Sequence, residues 1–159
     1  MSNDSIRPAT EDDLARILEI EAIQNPTPWT LAALKAEIVA KNSHFWVMTD
    51  DETDQILYGF LIFRFVAGEA HLLQVGVDPR IHKVGYGGKL MRAMINFVTR
   101  NGGERIFLEV RKINENAISF YQHLGFVIVT SKPSFYSDGA DAYSMSFKLN
   151  TNTSLEVEE

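Results

Sequence analysis

The sequence predicts a mixed α/β domain, a mixed sheet with helices on its faces, from three observations. Runs rich in aromatic and β-branched residues, at 45–48, 56–66 and 70–77, have strand length and strand composition. Other stretches carry apolar residues at helical spacing, such as Leu90, Met91, Met94, Ile95 and Val98. Cap and turn residues punctuate the two kinds of segment, giving the order β-α-α-β-β-β-α-β-α-β-β.

Taken in order, a short apolar-polar start around Ile6 precedes Thr10, and Asp13 three residues later completes a capping-box pattern for a helix with Leu14, Ile17, Leu18 and Ile20. Asn25-Pro26-Thr27-Pro28 breaks that helix, and Thr30 caps a second one carrying Leu31, Leu34 and Ile38 on one side. The period then changes to strands, with Asp50-Asp51-Glu52 and Ala67-Gly68 as turns. A helix follows Gly85 and stops at Asn101-Gly102-Gly103. The run 106–110 is another strand; Asn114 opens a helix that lasts through Leu124 and ends at Gly125, and 126–130 and 142–149 are the last two strands. Residues 1–149 are expected to form a single domain, and the polar acidic tail 150–159 to be frayed and disordered.

Composition narrows the function classes. With 45% apolar and 23% charged residues the chain reads as a globular protein rather than a disordered one. It has no cysteine, which removes disulfides, thiolate nucleophiles and Cys-ligated metals. His44, His71, His82 and His123 lack metal-ligand spacing, so no metal is expected and most of these histidines read as structural. Fifteen Lys and Arg against twenty-one Asp and Glu give a net charge of -6, which argues against phosphate-driven nucleic-acid binding and suits a cationic partner, or simply solubility. No signal-peptide pattern and no run of about eighteen apolar residues is present, so neither export nor a membrane is expected and the cytoplasm is the expected location.

The most informative segment is Val75-Gly76-Val77-Asp78-Pro79, followed by His82-Lys83-Val84-Gly85-Tyr86-Gly87-Gly88-Lys89 and a helix. Backbone N–H groups at a helix start bind anions, and glycines let a phosphate approach closely, so a diphosphate fits over Lys83, Val84, Gly85, Tyr86, Gly87 and Gly88. A Walker loop would need glycine where Lys83 stands, and a dinucleotide fingerprint would need it where Leu90 stands. Gly76 suits a bulge or a close ligand approach. The segment resembles the pyrophosphate motif of the GCN5-related N-acetyltransferase (GNAT) family: Gln or Arg, two residues, Gly, one residue, then Gly or Ala. His82 departs from it at the first position.

A second block, Leu108-Glu109-Val110-Arg111, then Asn114, Ala117-Ile118, Tyr121 and Leu124-Gly125-Phe126, resembles the bacterial ribosomal-protein-alanine N-acetyltransferase branch of that family. The resemblance implies a mostly antiparallel central sheet flanked by helices, acetyl-CoA as co-substrate, Glu109 as base, Asn114 as a cofactor contact and Tyr121 as acid. The chemistry is consistent with it. An α-amino group with a pKa near roughly 8 is largely protonated at neutral pH and must lose a proton before attacking a thioester, and the departing thiolate benefits from gaining one. Asn114 and Tyr121, seven residues apart in one helix, lie on one face. Backbone N–H groups of Val75, Gly76 and Val77 are expected to polarise the thioester carbonyl and pair with the pantetheine arm.

Each residue also has a plainer reading. Glu109 could lie on a solvated strand face or in an ion pair with nearby Arg111, Asn114 could be only a cap, and Tyr121 an amphipathic core residue whose hydroxyl reaches the surface. Pro28-Trp29, Phe135-Tyr136 and the segment through Asp138-Gly139, Asp141-Ala142 and Met145 also resemble the ribosomal branch, which implies that Trp29 and Tyr136 line the acceptor site. The acceptor so implied is the N-terminal α-amine of a basic protein, alanine of a small-subunit ribosomal protein. The alternatives are a polyamine, amino-acid or antibiotic amine, and a non-catalytic acyl-CoA sensor, which would not need both Glu109 and Tyr121.

Overall fold

The computed structural model describes residues 4–50, 53–81 and 85–149; the Asp51-Glu52 turn, the His82-Lys83-Val84 segment and the expected tail lie outside them. The elements are β1 (Asp4–Pro8), a 3-10 turn (Glu11–Asp13), α1 (Leu14–Gln24), α2 (Leu31–Val39), β2 (Ser43–Asp50), β3 (Leu57–Val66), β4 (Glu69–Val77), α3 (Tyr86–Arg100), β5 (Arg105–Arg111), α4 (Glu115–Leu124), β6 (Val127–Lys132) and β7 (Ala142–Lys148). The strands form one seven-stranded sheet in the order β1-β2-β3-β4-β5-β7-β6. Pairing is antiparallel for β1 with β2, β2 with β3, β5 with β7 and β6 with β7, and parallel for β4 with β5. This is the mixed, mostly antiparallel α/β architecture expected.

The predicted boundary devices are in place. The Thr10 N–H donates to the Asp13 carboxylate at 2.8 Å, and the box opens the 3-10 turn that leads into α1. The Thr30 hydroxyl accepts from the Ala33 N–H at 3.1 Å and starts α2. Asn114 does the same for the Ala117 N–H at 3.1 Å, and Gly125, at φ +113, stops α4 with its N–H and that of Phe126 returned to the last turn. Only glycine adopts that φ without strain.

The contacts group the chain into two compact units: Met1–Arg64 with Leu73–Met94, and Phe65–Leu72 with Ile95–Glu159. In the first, Ile17, Ile20, Leu34, Val47 and Phe60 are fully buried in one cluster, each contributing roughly 1.5–3 kcal/mol relative to exposure. Gly76 faces neighbours rather than open space: a Cβ there would stand 2.5 Å from Gln24 Nε2 and 2.7 Å from Phe60. The close approach that requires glycine at 76 is therefore packing of the chain on itself. In the second unit β5 alternates strictly, with Ile106, Leu108 and Val110 buried and Phe107, Glu109 and Arg111 on the opposite side.

Three buried carboxylates tie loops to elements within the first unit. Glu37 pairs with Arg64 and accepts from the Ser43 hydroxyl. Asp78 accepts from the Arg80 backbone and guanidinium and from Arg16; the Arg80 side chain, then its backbone N–H and Arg16, hold the carboxyl well below the usual range against the opposing effect of burial. Glu21, with no exposed surface, accepts from Asn25 Nδ2 at 2.9 Å, the Trp29 backbone N–H at 3.0 Å and Gln74 Nε2 at 2.8 Å. One side chain thereby joins α1, the Pro-rich loop and β4. Glu21→Ala strands three donors and is expected to cost about 2–4 kcal/mol, read as a lowered midpoint in urea unfolding.

Candidate active site

Glu109 points away from the buried side of β5, yet its side chain is only 9% exposed, because partners from two other strands close over it. His71 Nε2 lies 2.8 Å from Oε1 and Lys132 Nζ donates to Oε2 at 3.2 Å. The register explains both. Parallel pairing sets His71 beside Phe107, and the antiparallel pairs Arg111 with Ala142 and Ala142 with Lys132 bring Lys132 to the same end of β5. His71 stacks on Phe107 with ring centroids 4.3 Å apart. Burial raises the Glu109 carboxyl, but hydrogen bonding and charge from His71, then from Lys132, outweigh it and hold the group below its ordinary value. Glu109 is thus an ionised acceptor across the neutral range.

Arg111, which the plainer reading offered as an ion-pair partner of Glu109, is engaged on the β6–β7 loop. It binds Asp138 at 3.0 Å and lies over the Tyr136 ring at 4.2 Å, latching the β6–β7 loop onto β5. That loop also closes on itself, with the Gly139 N–H donating to the Tyr136 carbonyl at 2.8 Å. The half-buried Tyr136 phenol is pushed up by burial, pulled down by Arg111 and pushed up by Glu109 and Asp138, with a net rise. Tyr121 packs edge-on against Phe126 at 5.8 Å; burial, and to a lesser degree Tyr136, raise its phenol well above the ordinary range. Glu109, Tyr136 and Tyr121 are therefore electrostatic neighbours within the second unit. Asn114 uses its carbonyl oxygen as the α4 cap and is exposed.

The first unit holds the other predicted residues. Lys83 and Val84 lie outside the described residues, whereas Gly85, at φ +94, leads into α3 and its carbonyl accepts from the Lys89 N–H at 2.9 Å. Helix geometry leaves the first-turn N–H groups of α3, those of Gly87 and Gly88 among them, outside the hydrogen-bond ladder of the helix. A Cβ on Gly85 would meet nothing within 4 Å among the described residues, and Tyr86 is fixed by stacking on Tyr58 at 4.9 Å. These features fit an anionic group such as a diphosphate. On β4 the Val75 N–H donates to the Gln74 side-chain oxygen at 3.2 Å, while Gly76 is buried and Val77 half-buried. Trp29 is half-buried against the first unit's core, its backbone N–H on Glu21.

Two partners of Glu109 escaped the sequence reading. Neither His71 nor Lys132 carries a sequence signal that links it to Glu109; they lie 38 and 23 positions from it and become neighbours only through strand pairing. The other described histidines do have local explanations. His44 stacks on Phe63 at 4.8 Å and burial lowers its pKa, and His123 Nδ1 sits 2.8 Å from the Ser119 carbonyl one turn back. Among the described residues no group of three or more His, Asp or Glu could hold a metal ion, and no helix is long and apolar enough to cross a membrane.

Comparison with known proteins adds to this geometry. The model of the acetyltransferase (GNAT) family matches residues 14–126. A [ribosomal protein bS18]-alanine N-acetyltransferase of Haemophilus ducreyi is 32% identical over 131 residues, spanning 82% of this chain and 88% of that protein. The crystal structure of the ribosomal-protein-S18-alanine N-acetyltransferase from Escherichia coli superposes with a TM-score of 0.80 at 27% identity, covering 91% of this chain and 93% of that one. Ard1 from Thermoplasma volcanium superposes with a TM-score of 0.83 at 28% identity, covering 92% and 98%. With its mixed sheet and the glycine turn that opens α3, the chain belongs to the GNAT acetyltransferase family, whose fold binds acetyl-CoA.

Proposed function

We propose that this chain, acting as one domain over residues 1–149 in the cytoplasm, acetylates the free α-amine of a protein N-terminus. The proposed acceptor begins with alanine and belongs to a basic small-subunit ribosomal protein. The observation that carries the proposal is Glu109, a largely buried carboxylate kept ionised by His71 and Lys132 beside the two phenols of Tyr121 and Tyr136. The naming of the Haemophilus and Escherichia relatives as ribosomal-protein alanine acetyltransferases supports the acceptor class, and a net charge of -6 favours a cationic partner.

Acetyl-CoA, when bound, supplies an acyl group activated as a thioester. In this reading the first-turn N–H groups of Tyr86, Gly87 and Gly88, with Lys83, Val84 and Gly85, receive its diphosphate. Val75, Gly76 and Val77 offer backbone groups along β4, the Val75 N–H exchanging its internal Gln74 contact for the ligand. Asn114 has an amide nitrogen left over from its capping role to donate. Glu109 accepts the amine proton, directly or through a water, and Tyr121 donates one to the departing sulfur. Trp29 and Tyr136 are each proposed as a contact of the acceptor. Because Glu109 is held low, its own titration lies below the neutral range, and the free-amine fraction governs the rise of rate toward about pH 8.

Gly85→Val forces a β-branched residue to positive φ and sets its side chain over the turn, so acetyl-CoA affinity measured by calorimetry is expected to fall sharply. Unchanged affinity in the folded variant rules out that diphosphate position. Glu109→Gln is expected to lower kcat by about 10²–10⁴ at neutral pH with partial recovery at higher pH, and Tyr121→Phe to lower it without recovery. Wild-type turnover in both, under chemistry-limited conditions, removes the acid and base assignment. The acceptor class is tested with an alanine-starting basic peptide, the same peptide with a blocked α-amine, and a panel of polyamines and aminoglycosides. The free peptide is expected to be the preferred acceptor, and equal rates on the blocked peptide or preference for a small amine overturns the assignment.

A further inference from the structure

We propose that Lys132 is a resident stand-in for the acceptor's ammonium, holding the Oε2 side of Glu109 until the incoming amine displaces it. The inference rests on the reading of Glu109 as the group that accepts the amine proton. Each carboxylate oxygen already carries a cationic or imidazole partner, His71 on Oε1 and Lys132 on Oε2, and the side chain is only 9% exposed, so the open approach for an incoming amine is the position that one of these partners holds.

The two partners are not equally replaceable. The His71 ring, 32% exposed, stacks on Phe107, parallel to it within 13°, on a strand in register with β5, and its contact to Glu109 is the shorter one at 2.8 Å. Lys132 is the last residue of the edge strand β6, its side chain is 42% exposed, and its four-carbon stem ends 3.2 Å from the carboxylate and 5.4 Å from the Phe135 ring. A flexible primary ammonium half in water leaves at little cost; a stacked imidazole does not. The other cation nearby, Arg111, is committed to Asp138 and Tyr136.

The chemistry of the exchange is symmetrical. An α-ammonium and a lysine ε-ammonium are both primary alkylammonium groups, so one replaces the other without leaving a buried carboxylate bare, the step that would otherwise be costly. The bond changes amount to one ion pair broken and one formed, with no proton moved until the amine is seated on Oε2. The arrangement selects for cationic primary amines, because a neutral group does not replace the charge that Lys132 withdraws and a quaternary group has no N–H to donate.

This role predicts signs that a purely structural Lys132 does not. With CoA bound, calorimetric titration of an alanine-starting basic peptide is expected to show about threefold to fivefold tighter binding to Lys132→Met, the scale of a part-exposed ion pair removed as competitor. Lys132→Arg, whose planar guanidinium grips a carboxylate at two points, is expected to bind the peptide more weakly than wild type. In a Glu109→Gln background the methionine substitution should change nothing. If Lys132→Met binds the peptide no better than wild type, or Lys132→Arg binds it no more weakly, the stand-in role is overturned. The parent reading fails separately, through wild-type turnover of Glu109→Gln alone.

Discussion

The parallel pairing of β4 with β5 is the constraint on which the rest depends. In a sheet whose other recorded ladders are antiparallel, Glu69 beside Arg105 and His71 beside Phe107 demand a long crossover, since parallel neighbours cannot be joined by a tight turn. The crossover is α3, and a helix fed from a strand must begin at a turn whose N–H groups have no partners in the helix. The glycine turn that opens α3 and the His71 contact to Glu109 thus follow from the same topological fact. An antiparallel β4–β5 hairpin would have neither.

Burial of charge does the local positioning. Glu21 has no cation within its recorded contacts and instead accepts three N–H donors, which makes it an orienting group for the loop that carries Trp29. Asp78 fixes the exit from β4 by accepting from the Arg80 backbone as well as its side chain. Each carboxylate is costly to bury and is kept only by several donors acting together. The loops they hold are consequently specified by polar contacts that few alternative conformations could satisfy, whereas the apolar clusters specify only that the elements pack.

Much of this was legible in the chain. Caps at Thr10, Thr30 and Asn114 and the stop at Gly125 are local signals, encoded within four residues of where they act, and they lie where the sequence put them. Glu109 stands out because its block, with Asn114 and Tyr121 at matching spacings, resembles the acetyltransferase branch. What sequence reasoning could not supply was the company Glu109 keeps: Arg111, two residues along the strand, turns to Asp138, and the partners His71 and Lys132 come from strands 38 and 23 residues away. Gly76 marks the same limit, since a glycine in a strand announces a close approach without saying to what, and here it is Gln24 and Phe60.

The directions in which the environment moves the two central groups argue for a division of labour between them. A carboxylate and a phenol a few side chains apart would ordinarily titrate about six units from each other. Here His71 and Lys132 push Glu109 further down, while burial and Tyr136 push Tyr121 further up. The separation widens from both ends, so that across the neutral range one group is always an acceptor and the other always carries its proton. Widening also weakens each group as a base or acid, because efficient proton transfer favours a pKa near the working pH. A site built for speed through matched basicity would not be arranged this way. Under the proposed reading, in which an acyl group passes from a thioester with a good leaving group to an amine partly neutral near pH 7, fixed protonation states and fixed positions count for more than matched basicity, and strand pairing with the contacts of Glu109 supplies them.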